Sequence, residues 1–418
     1  MKWRTLSPED VERLEREAVD AETLAAAADI VEAVRSGGDT ALRGYAERFG
    51  DRAPGEPLVI PREELEAAVA RLPEDQVTLL RRTADRIRAF ADAQRRSLED
   101  VDVPVPGGRA GHRVAAVERA GCYAPGGRFP LPSSVLMTAV TARAAGVASV
   151  WVASPKPTDV TLAAAAVADA DAVLAVGGAH AVAAMAYGAG EIPACDVVVG
   201  PGNRWVTAAK KLVAGQVGID MLAGPSELVV LADDTADAAT VAADLLAQAE
   251  HDPDALPVLV TTSGDLARAV ERELETQLAT LPTRDTAQAA LDQGFAVVAS
   301  DLDEAVAVCD RLAPEHLQVL TADADAVARR LDHWGGLFVG EVSAEVFGDY
   351  GVGPNHTLPT GGVARFKGGL SVFDFLRIRT WLELTPGDET QAVARDAAAL
   401  ARLEGLEAHA RAAERRLG

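Results

Sequence analysis

The stretch Leu245–Pro253, LLAQAEHDP, holds the residues best suited to chemistry. Gln248 and His251 stand three apart at the end of an amphipathic run. On a helix that spacing puts a carboxamide and an imidazole on one face. The two can share a cation if further ligands arrive from elsewhere. They can equally cap the helix end or bond to each other. Ala313-Pro314-Glu315-His316 is the clearest acid/base signal. Pro314 stops a helix and gives the Glu-His pair after it a defined position. A carboxylate beside an imidazole can divide proton work, one activating water and the other taking a proton from an alcohol. The loop from Gly348 to Gly362, GDYGVGPNHTLPTGG, is crowded with Gly and Pro and carries Asp349 and His356. Long polar loops of this kind are often functional. Asp349 suits a hard-oxygen metal ligand and His356 a substrate contact; a solvated loop reads equally well. Ala223-Gly224-Pro225-Ser226-Glu227 is a further loop with an exposed hydroxyl.

Two Gly-rich turns read as anion cradles. One runs from Tyr123 to Arg128, before a helix starting near Pro132; the other is Gly200-Pro201-Gly202-Asn203. Glycines at a strand-to-helix turn let backbone amides approach a phosphate, and the helix N-terminus favours the charge. Gly177-Gly178-Ala179-His180 lies between them. None is Gly-x-Gly-x-x-Gly, so the ordinary dinucleotide fingerprint is absent.

These residues need a scaffold, and the chain supplies two kinds. Up to about residue 100, apolar residues recur at helical spacing through Leu24–Phe49, Glu63–Leu72 and Glu74–Ser97, with a cap signal at Ser7-Pro8-Glu9-Asp10. From Val114, short apolar runs alternate with Ala-rich helical stretches. Expected strands are Val114–Val117, Ser149–Ala153, Ala172–Val176, Val197–Val199, Leu228–Ala232, Val258–Thr262, Ala296–Ala299 and Leu337–Val339. Such alternation marks α/β domains with parallel sheets. The expected organisation is a helical segment over 1–110, two incomplete Rossmann-like domains over 111–233 and 234–365, and a helical tail over 366–418.

Composition narrows the partners. The 418 residues carry a net charge of −23, which disfavours nucleic acid and anionic membrane surfaces. Cys122, Cys195 and Cys309 are few, odd in number and far apart, which points to a reducing compartment and a cytoplasmic protein. Asp159, Asp169 and Asp171 break up the Ala-rich region before it reaches membrane-spanning length.

In order along the chain, CYAPGGRFPLPSSVLM, GGAHAVAAMAYG, VVGPGN, AGPSE, LLAQAEHDPD, APEHL, GDYGVGPNHTLPTGG and EGLEAH resemble the motifs of histidinol dehydrogenases. The resemblance implies oxidation of L-histidinol to L-histidine, with NAD accepting two successive hydrides, as the last step of histidine biosynthesis. It implies zinc held by Gln248, His251, Asp349 and His409. It assigns Ser226, Glu404 and His316 to substrate, alongside His356 and the metal ligands. It gives His316 the proton transfers and Glu315 the activation of water. Tyr123, Asn203 and the position of His180 match NAD contacts, with one departure: the family usually has Gln where this chain has His180. An imidazole cannot offer both groups of an amide. The resemblance also implies a homodimer in which the C-terminal segment, with Glu404 and His409, completes the neighbour's site. Two other readings remain: a zinc- and NAD-dependent dehydrogenase of another polar alcohol, and a zinc hydrolase.

Overall fold

A computed structural model describes residues 3–11, 19–126 and 130–417. The chain forms two compact units. One comprises residues 1–92 with 117–375, the other residues 93–116 with 376–418.

The larger unit is α/β, built on two six-stranded sheets. In the first, Arg119–Tyr123 lies at the centre. It pairs in parallel with Ser149–Ala153 on one side and Val197–Val199 on the other. Ala172–Leu174 and Gly218–Ile219 extend the sheet in parallel, and Val59–Pro61 adds an antiparallel edge. In the second sheet Glu227–Ala232 is central, flanked by Leu256–Thr261 and His316–Leu320. Phe295–Val298 and Gly336–Val339 continue it outwards. Arg4–Leu6 closes one edge in parallel against Phe295–Val298. Trp3 secures that edge, its indole N–H donating to the Leu291 carbonyl at 3.1 Å. Setting aside the N-terminal edge strands, both sheets have the order 3-2-1-4-5 of doubly wound folds, so each has a switch point between its first and fourth strands.

Central strands in such sheets are buried on both faces, and Glu227–Ala232 is buried at every position. The sheets divide between Ile219 and Glu227, earlier than residue 233, because Leu228–Ala232 belongs at the centre of the second sheet. Val114–Ala116 of the expected strand Val114–Val117 end the strand Gly108–Ala116 in the smaller unit, and Val117 falls outside it in the larger one. The N-terminal helices fall near their expected limits, at Ala21–Arg48, Arg62–Arg71 and Glu74–Arg96. They do not form a separate layer. Ala27, Val31, Val34 and Leu42 share the core that includes Val182 and Val206, on the helices flanking the first sheet.

The smaller unit is an antiparallel sheet in the order Leu376–Leu384, Gly108–Ala116, Val101–Val105. Two helices come after it in the chain, Asp388–Leu403 and Glu407–Glu414. Among the described residues no helix is long and apolar enough to cross a membrane.

Candidate active site

The Leu302–Leu312 helix ends at Ala313, whose φ of 42° turns the chain back before Pro314. Glu315 and His316 therefore emerge at the amino edge of the second sheet, and His316 begins its strand. Both anchor on one neighbour. The Glu315 carboxylate accepts from the Glu227 amide at 2.8 Å, and His316 Nδ1 lies 2.9 Å from the Glu227 carbonyl. A carbonyl only accepts, so Nδ1 carries the hydrogen and Nε2 is the basic nitrogen of the neutral ring. Nε2 is buried without a hydrogen-bond partner. It faces Asp349 Oδ1 at 3.7 Å and Glu345 Oε1 at 4.0 Å.

Gln248 lies in the last turn of the Ala238–Ala249 helix, and His251 stands just beyond it. That helix returns from the carboxyl end of the central strand, so its C-terminus reaches the same amino edge. His251 Nδ1 faces the Gln248 carbonyl at 3.3 Å, and its Nε2 faces Asp349 Oδ2 at 3.4 Å. Glu345 and Asp349 occupy one face of the short Glu345–Asp349 helix, four residues apart. The mostly buried His356 holds that helix end, Nδ1 donating to the Asp349 carbonyl at 2.9 Å and Nε2 accepting from Ser134 Oγ at 3.3 Å. Two loops fasten together beside the site. The Gly224 amide donates to Thr360 Oγ1, and the Gly361 amide donates to the Glu227 carboxylate. Ser226 sits half-buried between Gly224 and Glu227.

The charges oppose one another strongly. Burial pushes the Glu315 carboxyl up to about 7, and it does the same to Glu345. Burial would lower His316, but Glu315, Asp349 and Glu345 together hold it up at about 10. Asp349 holds His251 up at about 9, against the opposing effect of burial. Burial would raise Asp349, and the facing imidazoles instead hold it well below the ordinary carboxylate range. Burial keeps His356 below its ordinary value.

These residues fit a divalent cation. Both Gln248 side-chain atoms are buried without a partner, and so are both Glu345 oxygens. Each buried unpartnered group costs about 1–3 kcal/mol. His316, Glu345 and Asp349 present ligand atoms within 4.8 Å of one another. Amide oxygen, imidazole and carboxylate together suit zinc or a similar ion. Glu345 has no counterpart among the residues singled out from sequence; its one signal is the four-residue spacing to Asp349 in EVFGD. Glu404 and His409 belong to the smaller unit. Glu404 ends the Asp388–Leu403 helix, His409 lies in Glu407–Glu414, and both are exposed.

The turns read as anion cradles lie at the carboxyl edge of the first sheet. Tyr123 ends the central strand, and its hydroxyl accepts from the Gly178 amide at 3.0 Å. Burial pushes the phenol up to about 12. Asn203 caps the Arg204–Val213 helix, accepting from the Trp205 and Val206 amides at 3.1 and 3.3 Å. His180 is already engaged: its Nε2 donates to Asp51 Oδ2 at 3.0 Å, and its ring lies near Tyr45 and Phe49. Asp51 also accepts from the Gly177 amide, and although burial opposes it, these bonds keep the carboxyl below its ordinary value. Of the first Gly-rich turn, residues 127–129 lie outside the described residues.

A family model described as histidinol dehydrogenase matches residues 14–417. The chain belongs to the histidinol dehydrogenase family. It is similar to the histidinol dehydrogenase of Nitratidesulfovibrio vulgaris, at 49% identity over 399 residues, 93% of this chain and 91% of that one. It is also similar to that of Thermus thermophilus, at 46% over 389 residues and 93% of each chain. A protein of Ruegeria pomeroyi named as a histidinol dehydrogenase homolog is 44% identical over 404 residues, 94% of this chain and 93% of that one. The crystal structure of histidinol dehydrogenase from Elizabethkingia anophelis matches with a TM-score of 0.91 at 30% identity, covering 99% of this chain and 98% of that one. The histidinol dehydrogenase family is one of oxidoreductases, which makes this chain an enzyme.

Proposed function

We propose that this chain oxidises L-histidinol to L-histidine, with NAD as oxidant and zinc at the amino edge of the second sheet. The observation that carries this reading is the His316 ring. Its Nδ1 is fixed by the Glu227 carbonyl, and its Nε2 is left without a hydrogen-bond partner facing Glu345 and Asp349. Gln248, His251 and Asp349 would hold the metal, with the partner subunit's His409. Zinc, when bound, supplies a template for the substrate's amino and imidazole nitrogens. Two NAD molecules, bound in turn against Tyr123, His180 and Asn203, would each take up one hydride, one for each oxidation.

With the charge of Asp349 and its carboxylate neighbours offset by a bound cation, the ring would be neutral and His316 Nε2 would accept the alcohol proton in the first oxidation and serve again in the second. Glu315, raised by its burial, takes a proton from the water that adds to the aldehyde-level intermediate. Ser226, His356 and the partner subunit's Glu404 orient the substrate. The first sheet and its turns, up to about residue 219, would thus carry the cofactor, residues from about 226 to 365 the metal and proton chemistry, and residues 366–418 would complete the neighbour's site. Phe347, Tyr350 and Val352 expose large apolar side chains around Asp349, which supports a homodimer with shared sites. Three buried free cysteines suit the cytoplasm.

The test is NADH absorbance with L-histidinol, before chelation, after it, and after zinc is restored. NADH formation that chelation abolishes and zinc restores is the expected result. The Ruegeria pomeroyi relative, named only as a homolog at similar identity, favours one second reading: the same machinery acting on another polar alcohol. No NADH from histidinol with zinc loaded would overturn the first reading in favour of that one.

A further inference from the structure

The turn Gly200-Pro201-Gly202-Asn203 is held by a device outside the proton chemistry. Lys210, on the Arg204–Val213 helix, forms an ion pair with Asp220, and the two side chains are 3% and 0% exposed. Both charges reach one glycine. Lys210 Nζ donates to the Gly200 carbonyl at 3.0 Å, and Asp220 Oδ2 accepts from the Gly200 amide at 2.7 Å. Gly200 has φ 116°, and a Cβ there would stand 2.0 Å from the Tyr123 carbonyl oxygen. The pair therefore fixes the residue where the turn passes hardest against the central strand. A buried ion pair is a poor source of stability, since a well-packed apolar pair often does as well. Here the charges are spent on backbone position.

The same helix reaches onward. Asp220 begins the segment that leads through Ala223 and Gly224 to Ser226. Its second oxygen accepts from the Met221 amide at 2.7 Å. Three residues before Lys210, Thr207 Oγ1 donates to the Ala223 carbonyl at 2.6 Å. One helix, capped at its start by Asn203, is thus fastened to both loops.

We propose that Lys210 and Asp220 are positioning residues: they pin the cofactor turn and register it to the substrate loop that ends at Ser226. This rests on reading Gly200–Asn203 as an NAD contact and Ser226 as a substrate contact. Displacement of reacting groups by about 1 Å can cost on the order of a hundredfold, so a shared pin matters to both ligands.

The test uses Lys210→Met/Asp220→Asn, which removes both charges and leaves one acceptor for the backbone amides. Zinc content and thermal midpoint report the fold, and fluorescence titration reports NADH affinity. We expect a folded, zinc-loaded enzyme whose NADH dissociation constant rises about tenfold. The histidinol KM should rise with it, and kcat should change less than either. A folded double variant that binds NADH within about twofold of wild type overturns the pin. Thr207→Val, nearly isosteric, tests the link if the double variant does not fold. In wild type, saturating L-histidine should shift the NADH constant, and in Thr207→Val that shift should shrink. A wild-type NADH constant that L-histidine leaves unmoved, or a shift that Thr207→Val leaves intact, overturns the link. A zinc-loaded wild type that binds no NADH removes the cofactor reading itself, and the pin with it.

Discussion

The two parallel sheets share a strand order but use opposite edges. The first presents Tyr123 and Gly200 at its carboxyl edge, where the Gly178–Tyr187 and Arg204–Val213 helices begin. The second presents Glu315 and His316 at its amino edge, where the Ala238–Ala249 and Leu302–Leu312 helices end. Helix starts carry partial positive charge and favour anions; helix ends carry partial negative charge and favour cations. One edge suits the phosphates of a nucleotide and the other a metal. The state of the polar groups differs too. At the first edge Tyr123 is satisfied by Gly178, Asp51 by His180 and Gly177, and Asn203 by its own helix, and only His180 Nδ1 and Ser154 Oγ are buried without partners among the described residues there. At the second, Gln248, Glu345 and His316 Nε2 are buried without partners. A finished edge is one against which a ligand docks and leaves; an unfinished edge is one that something must complete.

The largest expected effect breaks the second edge at its proton carrier. His316→Gln should lower kcat by on the order of 10²–10⁴-fold while zinc content, measured by atomic emission, stays at the wild-type level. Gln248→Leu sharpens the contrast because its two effects have opposite signs. Zinc affinity should fall by more than the roughly 10–100-fold that losing an outer-shell partner costs. The chelated protein should gain about 1–3 kcal/mol in denaturant unfolding, because a buried amide no longer lacks partners. Acidity should act at the same edge. His251, raised to about 9, must lose its proton to bind metal. Zinc affinity, read by chelator competition, should therefore climb by roughly tenfold per pH unit up to about pH 9 and level off above it. The metal-free protein runs the other way: the raised His251 contributes stability that is fully present below about pH 6.5 and is lost as pH rises through about 9.

At the finished edge the effects are smaller. Tyr123→Phe leaves the Gly178 amide without its acceptor, so stability should drop by about 1–3 kcal/mol in chemical denaturation. NADH affinity should weaken only a few-fold, the worth of roughly one hydrogen bond. Smallest of all is His180→Gln. Glutamine can still donate to Asp51 while offering its oxygen elsewhere, so the change in NADH constant should stay within the few-fold worth of one bond, about 0.5–1.5 kcal/mol.

Much of the site is legible in the chain, because chemistry-bearing residue types keep short spacings. Gln248 with His251, and Glu315 with His316, are local pairs, and the structure brings His251, Asp349, His316 and His356 to one site. Features that depend on distant contacts escape a reading of the sequence. Glu345 looks like an ordinary acidic helix start; its burial comes from packing. Asp51 lies 129 residues from the imidazole it binds, and nothing local marks it. The central strand Arg119–Tyr123 is hidden because RAGCY has no β-branched residue and no alternation. Leu228–Ala232 is recognisable as a strand, yet its sequence groups it with the preceding residues, since sheet membership is set by pairing partners.

The edge strand Arg4–Leu6 sets a schedule for synthesis. It leaves the ribosome well before its partner Phe295–Val298, which lies about 290 residues further on. At about 5–20 residues per second, Arg4–Leu6 stays unpaired for tens of seconds before its partner is made. Until then Trp3 and Leu6 have no sheet to pack against. Refolding of the full chain should accordingly be slow and sensitive to protein concentration, with removal of residues 1–6 leaving an open parallel edge where chains can pair with one another.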